Sequence, residues 1–462
     1  FNSFVPAALS DDLARRLVEH YVARLRAHPH LHDKVEFEVA FTCRDFDFEQ
    51  QAQRLRSSGF SAGDVDALSE ALGQITQAAF ARCEPDLEPI RMLEQRFDAL
   101  SRFSGPPLER AVALLEDCRG YGTLAFAHAA RTAFVAVSLL RSLERLGVTT
   151  RDANAAFLNS LSTVAKGFEQ DAARVAAGEL SADVFRTRYG HLRPGTYEIT
   201  RPSYAEAPEL YLDPLLEAGS RIPPEEPWPG WSQETRTRIA EQLGERGLPE
   251  DVGAFERFLR RAIEGREYAK FAFTRNISAA LEALAAFGRR HDLSREALSH
   301  LSLGELLEEH RCASAEQGPT ALRGRAETGR ELDWLTQAVE LPPLLFEPDD
   351  VRCFEFPRSQ PNFISRGVVT AEPAVLDEGE PEHLEGRIAL IRQADPGYDW
   401  LFGRGIVGLV TLYGGANSHM AIRCAEFGLP AAIGVGPPLY ERLARARVLE
   451  LDCASQRIRM VR

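Results

Sequence analysis

Lysine is nearly missing from this chain. Of its 54 basic residues only Lys34, Lys166 and Lys270 are lysines, and the rest are arginines. Lysine-based chemistry therefore has few candidates, and recognition of phosphate or carboxylate falls to the planar arginine fork. Cysteine is sparse and unpatterned: seven residues, an odd number, with no C-x-x-C pair. That argues against a structural zinc and for a reducing, cytoplasmic setting. Positive charge is in deficit, with 68 acidic residues and a net charge of -14. No basic surface excess is available for nucleic acid. There is no G-x-x-x-x-G-K-[S/T] phosphate loop. No signal peptide and no apolar run of transmembrane length are read, so no membrane partner is expected. The chain starts at Phe1 rather than Met, which reads as a fragment or processed form.

What is present is enough for two or three globular domains: 462 residues, 44% of them hydrophobic. One stretch organises the rest. Gly405 to Val410 reads as a short buried strand, and Gly414-Gly415 as a tight turn. Ser418 is a good N-cap, with Ala421, Ile422 and Ala425 on one side of the helix that follows. Gly428 and Pro430 stop that helix, and Ala431 to Val435 reads as another strand. His419 then sits in a first helical turn beside backbone N–H donors, an environment that stabilises an anion. A neutral imidazole there is a nucleophile able to take and hold a phosphoryl group. The plainer reading is a capping loop with an incidental histidine.

Earlier in the chain, residues 10 to 28 form an amphipathic helix with Ser10 as N-cap. His28-Pro29-His30-Leu31-His32-Asp33 follows. Its alternating histidines suggest metal ligands, but the proline favours a turn, and no metal is assigned. Residues 34–42 alternate strictly, with Val35, Phe37, Val39 and Phe41 on one face, and predict a strand. His32, Asp33, Glu36 and Glu38 are candidates to border a substrate cleft at its edge. Residues 49 to 180 read as helices, within which His128 is expected to be a core or interface histidine rather than a catalyst. Residues 188–199 gather Tyr, His, Arg and Glu around Gly190 and Gly195, the composition of a site loop. There His191 is a candidate general base toward a substrate hydroxyl, Arg193 a partner for phosphoryl charge, and Tyr197 and Glu198 substrate contacts. Residues 213–250 are proline-rich and read as a long connection or lid. Further on, Glu267, Lys270 and Arg275 on one helix are candidate cleft residues. Prolines from 342 to 361 mark a hinge linker.

The pattern formed by Gly414, Gly415, Ser418, His419, Ala421, Ile422, Glu426, Gly428, Pro430, Ala431 and Gly434 resembles the mobile phosphohistidine domain of the phosphoenolpyruvate-utilising enzymes. That family includes dikinases and rifampin phosphotransferases. Met420, Cys424 and Ala425 depart from the pattern. Ala425 stands where the family has arginine, and Arg423 is the nearby candidate for phosphate binding with Gly414 and Gly415, although it projects from a different helix face. The His191 loop and the Glu267–Arg275 helix are similar to the central domain of the rifampin-phosphotransferase group. The resemblance implies a multidomain chain: a largely α-helical substrate-binding domain with a small β component (1–340), a hinge (341–362), and an α/β swivelling phosphohistidine domain (363–462).

By the same resemblance His419, assisted by Ser418, is the phosphoryl carrier, loaded from ATP with Mg²⁺ and no organic cofactor. No ATP-grasp-like segment is read, so an ATP-binding domain or chain is the expected partner. No barrel follows the histidine domain, which argues against phosphoenolpyruvate or pyruvate as substrate. The acceptor is expected to be a small molecule. Two other functions fit the same residues: a condensing enzyme that phosphorylates a substrate to activate it, and a non-catalytic phosphohistidine relay.

Overall fold

Ser10 accepts a hydrogen bond from the Leu13 amide and opens the helix Asp11–Ala27, whose Leu13, Leu17, Tyr21 and Leu25 are buried at four-residue spacing. The same logic recurs down the chain. Ser61 and Asp64 form a reciprocal capping box on the helix Ala62–Arg82. Ser181 and Ser232 cap the helices Ala182–Tyr189 and Gln233–Glu245. The computed structural model describes residues 1–462 apart from 33, 214–215, 217–227, 313–317, 340, 342–343, 353–360, 377–382, 416–417 and 462. The protein is mostly helical, with a small α/β portion at its C-terminal end.

The chain divides into two units. The first comprises Phe1–Arg91, Gly122–Val164 and Pro223–Phe271. Its core joins Phe46, Leu139, Phe157, Trp231, Ile239 and Phe255, among others. The second comprises Met92–Tyr121, Ala165–Ile222 and Ala272–Arg462. It has a helical core around Leu114, Ile199, Leu284 and Phe287, and a separate core inside the C-terminal sheets. This division does not follow the boundary expected near residue 340. Part of the helical chain groups with the C-terminal α/β portion, and the 39-residue helix Val252–Arg290 contributes to both units.

The strand predicted at 34–42 is a correction. Val35–Val39 is one π-helical turn. Its carbonyls find guanidinium partners instead of a neighbouring strand: Arg24 Nε donates to Glu38 O at 2.8 Å and Arg54 Nη2 to Val39 O at 3.1 Å. Phe37 packs edge-on against Phe134. Among the described residues no strand precedes Asn362, so the small β component expected in the helical region is absent there. The expectation of no apolar run of membrane-spanning length also changes. Pro107–Arg145 is long and apolar enough to cross a membrane by length and composition alone, and 50% of its apolar window is buried within the fold.

Among the described residues the C-terminal portion holds eight strands. We label them β1 (Asn362–Ile364), β2 (Val368–Ala371), β3 (Pro373–Val375), β4 (Ile388–Gln393), β5 (Gly408–Tyr413), β6 (Ala431–Ile433), β7 (Val448–Asp452) and β8 (Arg457–Val461). A five-stranded sheet runs β1-β6-β5-β4-β3, and a three-stranded one β2-β7-β8. β3 to β6 are parallel to one another, and β1 is antiparallel to β6. The strand expected across Ile364 to Val369 is broken into β1 and β2 at Ser365, which adopts φ 68°. The helix His419–Glu426 is the crossover between parallel β5 and β6. It therefore starts at the C-terminal edge of the sheet, where open α/β sheets place ligands.

Candidate functional site

β5 is buried from Gly408 to Leu412 and carries the chain to the turn before His419. Gly414 holds φ 136°, and a β-carbon there would meet Ala394 Cβ at 2.7 Å and Ile433 Cγ2 at 3.0 Å, so glycine is required. Gly434, φ 73°, faces it across the end of β6, and a β-carbon on Gly434 would lie 2.3 Å from Gly414 O. Thr411 Oγ1 accepts the Gly434 amide at 3.0 Å. Gly415 O accepts the Ser418 amide at 3.0 Å. Ser418 Oγ then accepts the Ala421 amide and caps the helix, as expected from the sequence.

His419 is 9% exposed. Its Nε2 lies 2.7 Å from Asp399 Oδ1. Asp399 itself is buried, within the 3₁₀ segment Pro396–Arg404. One turn along the helix from His419, Arg423 Nε donates to the same Asp399 oxygen at 3.3 Å. Its Nη2 pairs with Glu169 of the helix Val164–Ala176. The guanidinium lies over the Phe427 and Phe402 rings, 4.8 and 5.1 Å from their centroids. Arg423, proposed from sequence for phosphate, is thus engaged by two carboxylates. Cys424 on the same helix is fully enclosed, and burial pushes its thiol well above the ordinary range.

Asp399 sits on a segment docked against the His191 loop. Tyr204 Oη donates to Gly397 O at 3.0 Å, and Arg404 Nη2 to Leu210 O at 2.9 Å. The Gly397 backbone approaches Arg193 so closely that a β-carbon would lie 1.7 Å from Arg193 O. Burial pushes the Tyr204 phenol well above its ordinary range, so it stays a donor.

The loop candidates separate by role. His191 is half-buried, and the carbonyls on either side of it, Gly190 O and Leu192 O, accept the Ala205 and Tyr204 amides. Arg193 is 2% exposed and is spent inside the fold rather than offered to a ligand. It donates to the carbonyls of Glu198, Arg201 and Ser278, to Ser278 Oγ, and to Glu282 Oε1 at 2.6 Å. Tyr197 is exposed, and Glu198 accepts from the Thr200 amide and hydroxyl. Arg275, in the same unit, lies over the Phe97 ring.

His32, Glu36, Glu38, Glu267 and Lys270 belong to the first unit, and His419 to the second. His32 Nδ1 bonds Pro29 O, and Glu267 pairs with Arg266 at 2.9 Å. Asp33 lies outside the described residues. His128, expected in the core or at an interface, is partly exposed and lines a cavity of about 550 Å³ with Phe4, Phe41, Leu72, Arg131 and Phe134. Among the described residues no group of three or more His, Cys, Asp or Glu is arranged to hold a metal.

Asp399, Glu169, Tyr204 and Gly397 were missed by sequence reasoning. The only signal was Asp395-Pro396-Gly397-Tyr398-Asp399, a turn-rich, charged stretch just before a buried strand.

Residues 384–456 match the family described as PEP-utilising enzyme, mobile domain. Over that span the chain resembles the phosphoenolpyruvate-utilising enzymes. It is 27% identical over 297 residues to a rifampicin phosphotransferase of Streptomyces sviceus, an alignment covering 58% of this chain and 33% of the relative. A rifampicin phosphotransferase of Bacillus cereus is 42% identical over 73 residues, covering 16% of this chain and 8% of the relative. The chain thus spans about a third of the length of the Streptomyces relative. His419 falls inside the matched mobile domain.

Proposed function

We propose that this chain is the acceptor-binding and phosphohistidine portion of an ATP-dependent phosphotransferase of the dikinase type. The observation that carries the reading is the placement of His419: it opens a Ser418-capped helix in the matched mobile domain, and that domain rests against the His191 loop through Gly397 and Tyr204. ATP, bound with Mg²⁺ on an ATP-binding domain or chain of ATP-grasp type, supplies the phosphoryl group. The His419 ring nitrogen attacks phosphorus, the P–O bond to the nucleotide breaks, and its electron pair leaves with the nucleotide oxygen. The domain then swings on the 341–362 linker, which separates loading from delivery and keeps water from the phosphoramidate.

The acceptor is a small hydroxyl-bearing molecule. His191 is the candidate base for the acceptor hydroxyl, and the enzyme works in the cytoplasm.

The test is incubation with an ATP-binding partner and ATP labelled separately at β and γ. Acid-labile β label appears on the wild-type chain and is absent from His419→Ala. Equal labelling of both proteins removes His419 as the carrier. A coupled, phosphate-free product would instead identify a condensing enzyme.

A further inference from the structure

The Asp399–Arg423–Glu169 chain is buried and begins on the His419 ring. Asp399 Oδ1 is 2.7 Å from Nε2. At that distance the oxygen accepts the Nε2 proton, which fixes one tautomer and one ring orientation. Arg423 binds the same oxygen and, at its far end, Glu169 on the helix Val164–Ala176. The segment carrying Asp399 also holds the docking contacts of Gly397 with Tyr204 and of Arg404 with Leu210 O.

We propose that Asp399 is a positioning residue that holds the unphosphorylated His419 ring through Nε2, and that a phosphoryl group on Nε2 displaces it and loosens the Pro396–Arg404 segment from residues 204–211. The proposal rests on the reading of His419 as a phosphoryl carrier. A ring nitrogen bears the shared proton or a phosphoryl group, not both. Once phosphorylated, Nε2 presents a dianionic group to a buried carboxylate at contact distance, and like charges at that separation repel strongly where water is excluded. Arg423 then loses a carboxylate partner in Asp399, while its pairing with Glu169 stays. Asp399 thus reports the loading state of His419 to the docking surface.

The experiment loads the full chain chemically with potassium phosphoramidate, needing no nucleotide partner. The Nε2–P bond forms as the P–N bond of the reagent breaks, and the ring proton leaves with ammonia. Mass spectrometry locates the group, heteronuclear NMR assigns the nitrogen, and amide hydrogen exchange follows 204–211 and 396–404. Wild type shows exchange at least fivefold faster after loading. His419→Gln shows no change. Asp399→Asn, checked for folding by circular dichroism, changes less than twofold on loading, because no carboxylate repels the group. Imidazole ¹⁵N shifts show the Nε2–H tautomer in unloaded wild type and a mixture in Asp399→Ala. Loading on Nε2 with exchange unchanged in wild type, an equal response in Asp399→Asn, or a group found on Nδ1 overturns the proposal and leaves the carrier reading standing. No label on His419 overturns both.

Discussion

Gly397 and Arg193 meet backbone to backbone: a β-carbon on Gly397 would lie 1.7 Å from the Arg193 carbonyl oxygen and 2.7 Å from Pro194 Cα. Neither obstacle is a flexible side-chain end, so alanine at 397 has no room without moving one segment off the other. Gly397→Ala is expected to abolish docking while the sheets stay folded. Amides of residues 190–211 lose protection in hydrogen exchange, and those of β4 and β5 keep theirs.

Tyr204→Phe removes the buried donor to Gly397 O. Leaving that carbonyl unpaired costs about 1 kcal/mol of stability, read from urea unfolding. The loss depends on pH. Burial raises the Tyr204 phenol above its unfolded value, so the folded state resists ionisation. Its stabilisation is full below about pH 10 and declines as pH rises beyond that. Wild type therefore loses stability above pH 10 more steeply than Tyr204→Phe, and the two curves converge.

Arg193 is a strut. Its guanidinium reaches Glu198 O, Arg201 O, Ser278 and Glu282 from a buried position. Arg193→Met removes its donors from those acceptors and costs roughly 3 kcal/mol, the lower range for breaking a buried pair, because Glu282 keeps Arg295. Arg193→Lys does not rescue it, since a single ammonium cannot reproduce the fork. Thermal and urea unfolding of the two variants check this.

Ser418→Ala removes the cap on the His419 helix and costs about 1 kcal/mol in urea unfolding. The first turn frays with it, and the rate of phosphoramidate labelling at His419 is expected to drop severalfold while that of other histidines is unchanged.

The sheet around His419 was legible because its strands are short apolar runs cut by glycine, and because Ser418 and Gly428 punctuate the helix between them. The Val35–Val39 turn misled for a physical reason. Period-two alternation over five residues also suits one tight turn whose carbonyls are taken by Arg24 and Arg54, side chains from elsewhere in the chain. Asp399 lay beyond sequence reasoning because its partner is 20 residues away across a strand and a turn. Arg193 looked like a ligand residue for a related reason. An arginine in a glycine-rich loop reads the same whether its fork faces a phosphate or, as here, the carbonyls of its own loop and the helix behind it.

The turn that carries His419 is pinned at both ends. Gly434 and Gly414 touch across the strand ends, Thr411 Oγ1 holds the Gly434 amide, and Leu412 O holds the Gly436 amide. Such a mount leaves the histidine little travel of its own relative to the sheet. If it visits two partners, the sheet must carry it there, and the distance it covers is set by the tether rather than by the turn. His419 is cargo bolted to its vehicle: lengthening the turn would blur its aim, whereas lengthening the tether would change its reach.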